Sequence, residues 1–115
     1  MTTSRRAPPR FDALELSLEL IRALRQSVAL VRRRSAKLAS QLEDAASSVA
    51  ANVSEGNRRA GKERIHLFRI AAGSAEEART HLRVAEAWGY VAPRDIEPAL
   101  GLADRELAML WRLTH

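Results

Sequence analysis

Leu38-Ala39-Ser40-Gln41-Leu42-Glu43-Asp44-Ala45-Ala46-Ser47-Ser48-Val49-Ala50-Ala51-Asn52-Val53-Ser54-Glu55-Gly56 is the stretch that decides the fold. Leu38, Leu42, Ala45, Val49, Asn52 and Gly56 recur at alternating spacings of four and three. That is an a/d seam, the mark of a helix that lies along a partner helix. Ser35 precedes the seam as an N-cap, since its hydroxyl can accept from a free N–H of the first turn. Gly56-Asn57 is a stop signal at the other end.

Reading outward, three more segments carry the same period. Helix one spans about Phe11 to Arg34, with Leu14, Leu18, Ile21, Val28 and Val31 on one side and Leu24 beside them. Asp12 and Glu15 open it and Arg32, Arg33 and Arg34 close it, both favourable placements against the helix dipole. Helix three spans about Lys62 to Trp88. It has one stripe of Ile65, Phe68, Ala72, Ala75 and Leu82 and a second of Leu67, Ala71, Ser74, Ala78 and Ala85. Two stripes predict contact with more than one neighbour, and leave one free to face outward toward another subunit. Gly89 ends this helix, and Pro93 or Pro98 fits the first turn of the next. Helix four presents Ile96, Leu100, Ala103, Leu107 and Leu110, with Trp111 beside them. Short connections make neighbours antiparallel, so the expected fold is all-α: an up-down-up-down four-helix bundle over residues 11–115. Residues 1–10, polar and Pro-containing, read as a disordered basic arm.

Composition sets the outer limits. The chain has 115 residues, which suits a single domain. Aromatics are only 4% of it, so the core must come from Leu, Ile, Val and Ala. With no cysteine there can be no disulfide and no Cys-ligated metal. The N-terminus lacks the apolar run of a secretory signal, and the longest uncharged stretch, Ala45 to Ser54, is too short for a membrane span. A cytoplasmic location and no membrane partner are the expectation.

Lys and Arg number 19 against 14 Asp and Glu, a formal net charge of +5. The bundle topology sorts these charges. Arg5, Arg6, Arg10, Arg58, Arg59, Lys62, Arg64 and Arg112 gather at the end where helix one begins, with Glu55 and Glu63 among them. Arg32, Arg33, Arg34, Lys37 and Arg94 gather at the other end, about 30 Å away for helices of this length. A clustered excess of cations fits a phosphate backbone. No stacking-aromatic signature accompanies it, so contact with the backbone rather than the bases is expected.

Catalytic and metal chemistries find little footing. A di-iron bundle needs two Glu-x-x-His motifs and carboxylates from every helix. This chain has Glu63-Arg64-Ile65-His66 alone. Glu77 and His81, four apart, form a local side-chain pair. Ser47, Ser48 and Ser54 have no histidine beside them in sequence, and no Gly-rich phosphate loop is present. No cofactor, metal or enzymatic activity is expected. Asn52 occupies a seam slot meant for an apolar residue, so its amide needs partners. Ser74, Glu77 and Thr80 on helix three are the candidates, and the expected role is to fix helix register.

Two stretches, Ala46 to Gly56 and Ile70-Ala71-Ala72-Gly73-Ser74-Ala75-Glu76-Glu77-Ala78-Arg79-Thr80-His81-Leu82, are followed by Gly89-Tyr90-Val91. Together they resemble the four-helix-bundle family encoded by intervening sequences of bacterial 23S ribosomal RNA genes. That family includes the accessory variability proteins of diversity-generating retroelements. The likeness covers about residues 11–113 and places Asn52, Glu55, Gly56, Gly73, Ser74, Glu77, Thr80, Gly89 and Tyr90 on motif positions. Val53 stands where the family often has Ile, and the long connection between helices one and two seen in many members is missing. The resemblance implies a twisted bundle that assembles as a ring-like homopentamer. Its retroelement members bind nucleic acid and act with a reverse transcriptase.

The expectation is therefore a non-enzymatic homo-oligomer that binds RNA or DNA through Arg58, Arg59 and Lys62. Arg5, Arg6 and Arg10 would help as an arm. The alternative is a protein-interaction scaffold ring whose charge serves solubility.

Overall fold

A computed structural model of the chain describes residues 12–115. The arm expected over residues 1–10, with Arg5, Arg6 and Arg10, lies outside the described residues. Four helices follow one another: α1 Asp12–Arg32, α2 Ala36–Asn57, α3 Gly61–Ala87 and α4 Pro93–Thr114. Local chemistry sets their ends. The Ser35 hydroxyl accepts from the Leu38 N–H at 3.1 Å and caps α2. Pro93 starts α4, where its missing N–H costs nothing, and the Asp95 carboxylate accepts from the Ala92 N–H at 2.8 Å. At the end of α3, the Gly89 N–H bonds to the Glu86 carbonyl and the Tyr90 N–H to the Ala85 carbonyl, both at 2.9 Å. This is a Schellman motif, and Gly89 supplies the positive φ of 78° it requires.

The helices form a closed ring of neighbours: α1 against α2 and α4, and α3 against α2 and α4, with α2 and α3 the most extensively packed pair. This is the expected all-α four-helix arrangement. Polar ties cross each of the four interfaces. Arg32 pairs with Glu43 at 2.7 Å between α1 and α2, and the Ser48 and Ser74 hydroxyls meet at 2.8 Å between α2 and α3. Arg79 donates to Asp104 at 2.8 Å between α3 and α4. The Ser27 hydroxyl donates to the Asp95 carbonyl at 2.9 Å between α1 and α4.

The core falls into two clusters. The larger holds Leu20, Leu24, Val28, Val31, Leu38, Leu42, Leu82 and Ile96 with smaller residues, near the α1–α2 and α3–α4 turns. The smaller holds Ala13, Val49, Val53, Phe68, Ala71, Ala75 and Leu110, near the α2–α3 turn.

Several seams differ from the expectation. On α4 the buried positions are Ile96, Ala99, Ala103, Glu106 and Leu110, whereas Leu100 and Leu107 are only half-buried. The expected spacing ran through Leu107, and the fold buries its neighbour Glu106 instead. On α2, Val53 takes the core slot expected for Asn52, which lies half-buried beside it. On α3, Phe68, Ala71, Ala75, Ala78, Leu82 and Ala85 are all buried, so the two stripes merge into one broad inward face. The second stripe is therefore not free to meet another subunit.

Candidate nucleic-acid interface

Gly56 positions the α2–α3 turn. A Cβ built there would lie 2.6 and 2.7 Å from two ring carbons of Phe68, far inside van der Waals contact. The absent side chain lets α3 lay a fully buried aromatic ring against the α2 backbone. The helix then closes with the Arg58 N–H on the Glu55 carbonyl at 3.0 Å and the Arg59 N–H on the Gly56 carbonyl at 3.1 Å. The helix ends at Asn57, where the Gly-Asn pair placed its end, and Gly56 itself serves as a point of close approach.

Arg58, Arg59 and Lys62 are exposed on this turn. Arg59 forms an ion pair with Glu55, one turn back on α2. Arg58 and Lys62 form no ion pair among the described residues. Arg64 is half-buried: Nη2 donates to the Asn57 side-chain Oδ1 at 3.2 Å, and the guanidinium stands 5.5 Å from the centre of the Phe68 ring. Arg112 is exposed near the end of α4, toward the same end of the bundle. The turn therefore presents three cations, one of them offset by a carboxylate.

Of the motif residues, Asn52, Gly56 and Ser74 serve the α2–α3 interface. Asn52 does not reach Ser74, Glu77 or Thr80 directly. Its Nδ2 donates to the Ser48 carbonyl at 2.9 Å and to the Ser48 hydroxyl at 3.1 Å, and that hydroxyl meets Ser74 on α3. Register is thus passed through Ser48. Glu77 and His81 stand 3.4 Å apart, as their spacing suggests. Thr80 and Gly73 are exposed, and nothing within the protomer approaches the Cβ position of Gly73 within 4 Å. Glu63 and His66 are both exposed on α3. Among the described residues no three His, Cys, Asp or Glu side chains gather closely enough to share a metal ion.

Two features have no counterpart in the sequence reading. Glu106 is 0% exposed, and neither carboxylate oxygen has a hydrogen-bond partner. Burial pushes its pKa from 4.5 up to about 8, because the low-dielectric interior disfavours the charge. It stands between Ala103, in the larger cluster, and Leu110, in the smaller. Ser17 lies between Ala13 and Leu20 in the same way on α1, its hydroxyl donating to the Leu14 carbonyl at 2.6 Å. The alternation Ile96, Ala99, Ala103, Glu106, Leu110 was a visible signal, masked by the apolar Leu107. The second feature is at the opposite end. Trp88 and Tyr90 lie with ring centres 6.4 Å apart and planes at 16°, and Arg34 stands 5.2 Å from the Tyr90 ring centre. Only folding brings Arg34 to Tyr90.

Among the described residues no helix is long and apolar enough to cross a membrane. No curated protein matches the chain. In fold it is similar to the crystal structure of a protein of unknown function from the S23 ribosomal protein family of Bacteroides thetaiotaomicron VPI-5482. The two share 17% identity and a TM-score of 0.79, over 89% of this chain and 97% of the other. The family described as 23S rRNA-intervening sequence protein matches residues 11–112, nearly the whole helical region. By that match over residues 11–112, and with its four-helix ring, the chain belongs to the 23S rRNA-intervening sequence protein family.

Proposed function

We propose that this chain is a non-enzymatic, cytoplasmic homo-oligomer that binds RNA or DNA through the α2–α3 turn. The observation that supports this reading is the exposure of Arg58, Arg59 and Lys62 on one turn with a single carboxylate paired among them. Such a group meets phosphates and releases their counterions, so affinity depends steeply on salt. Arg5, Arg6 and Arg10 would add charge to the same contact. A ring of subunits, five by the family resemblance, would repeat the turn and multiply weak contacts by avidity. Gly73 supports assembly: a glycine inside an exposed helix costs about 1 kcal/mol relative to alanine, and nothing in the protomer uses the space it leaves.

The test is fluorescence-anisotropy titration of structured RNA and duplex DNA across a salt series. Wild type runs beside the Arg58→Glu/Arg59→Glu/Lys62→Glu variant, with assembly size checked by light scattering. Salt-sensitive binding that the variant loses, at unchanged assembly size, is the expected result. An intact oligomer that binds nothing at low salt would overturn the proposal and leave a scaffold ring as the reading.

A further inference from the structure

The end of the bundle opposite the α2–α3 turn carries a feature that folding alone does not require. Trp88 is 68% exposed, more than any other large apolar side chain among the described residues. Its neighbour in space, Tyr90, packs against the larger core cluster and is fixed by the Schellman hydrogen bond of its own N–H. Trp88 is not among the residues packed on either cluster. Its indole stands near-parallel to the Tyr90 ring, while Arg34 from the α1–α2 turn covers the tyrosine at 5.2 Å. Two turns distant in sequence thus contribute to one aromatic and cationic surface.

The chemistry of that surface narrows its guest. Aromatic faces alone would suit a quaternary ammonium, but the guanidinium of Arg34 repels a cation. Arg33, Lys37 and Arg94 are exposed on the same two turns and the helix starts beside them. Of the acids nearby, Glu43 is engaged by Arg32 and Asp95 by the Ala92 N–H, which leaves Glu86 and Glu97. A flat ring carried on an anionic chain meets both requirements, and that is a nucleobase on its phosphate. Only an unpaired base has a free face to offer, since duplex bases are already stacked.

We propose that Trp88, backed by Tyr90 and Arg34, is a stacking platform for unpaired bases of single-stranded RNA or DNA. The inference rests on the nucleic-acid reading given above and deepens it by naming single strands as the substrate class. It also assigns a second contact at the far end of the bundle.

The chain has two tryptophans, so Trp111→Phe leaves Trp88 as the sole indole emitter. This protein is titrated with labelled oligo(U), oligo(dT) and a duplex of equal length. Label anisotropy reads binding, and indole emission reads stacking. The platform predicts that indole emission is quenched in step with binding of the single strands and not of the duplex. Trp88→Ala in the otherwise native chain should weaken single-strand binding about tenfold and leave duplex binding and assembly size unchanged. Binding with unaltered indole emission and unaltered Trp88→Ala affinity overturns the platform while the α2–α3 turn keeps its role. A change in assembly size with Trp88→Ala makes Trp88 a subunit contact and overturns it too. Absence of binding to every probe overturns both readings.

Discussion

Replacing Glu106 by glutamine should make the bundle more stable, and increasingly so as pH rises toward 8. Glu106 is the sole titratable side chain among the buried described residues, and no partner offsets its desolvation. In the folded chain it ionises near pH 8; in the unfolded chain it ionises near its ordinary 4.5. Below pH 4.5 both states hold the proton, and Glu106 contributes no pH dependence. Between 4.5 and 8 the folded state keeps a proton that the unfolded state has released. Stability therefore falls through that window, by up to 1.36 kcal/mol per pH unit, and levels off above pH 8. Over the full window the loss is about 5 kcal/mol, a large part of the 5–15 kcal/mol typical of a folded domain. Urea unfolding of wild type and Glu106→Gln at one-unit steps from pH 5 to pH 9 isolates this contribution, because all other titrations cancel in the difference. The difference should grow by about 4 kcal/mol between pH 5 and pH 8 and then stay flat. A difference that does not change with pH would refute the assignment of a buried, unpartnered carboxyl. Glu106→Leu, which removes the polar atoms altogether, should show the same loss of slope.

Three glycines should respond in different ways to alanine. Gly56→Ala forces a methyl group into the buried Phe68 ring and should destabilise by roughly 1–3 kcal/mol, read as a lowered thermal midpoint with the helix content retained. Gly89→Ala places a Cβ on a residue at φ 78° and should cost about 1–2 kcal/mol in urea unfolding. Gly73→Ala meets nothing in the protomer, so it should add up to about 1 kcal/mol of helix stability in urea unfolding. If Gly73 serves a subunit contact, the same variant should lower assembly size in light scattering.

What the sequence made legible was local. Ser35, Pro93 and Gly89 mark helix ends through bonds spanning only a few residues, and all three act as their chemistry suggests. The four-helix arrangement followed from period and loop length. Facial assignment was weaker, because apolar side chains adjoin each other on these helices. Leu107 beside Glu106 and Asn52 beside Val53 each offered two possible seams, and the regular four-three spacing picked Leu107 and Asn52 where packing took Glu106 and Val53. Exposure of Arg58, Arg59 and Lys62 was legible from their place in a short polar turn, and the Arg59–Glu55 pair from its i,i+4 spacing. The meeting of Arg34 with Tyr90 was not, since it depends on how two turns pack at one end of the bundle. The indirect route from Asn52 through Ser48 to Ser74 likewise depends on rotamers that no spacing specifies.

The division of the core carries a dynamic consequence. The cluster beneath the α2–α3 turn has one ring, Phe68, one leucine, Leu110, and five alanines or valines, whereas the other cluster is rich in leucine. An unpartnered carboxyl lies between them, and the end with less apolar area should open at lower free energy. Sub-global opening would then begin at the cationic turn while the leucine-rich half stays closed. A polyanion gripping that turn would suppress the opening, so part of its binding free energy would go into ordering the protein, and protection from amide exchange would spread well beyond the residues it touches.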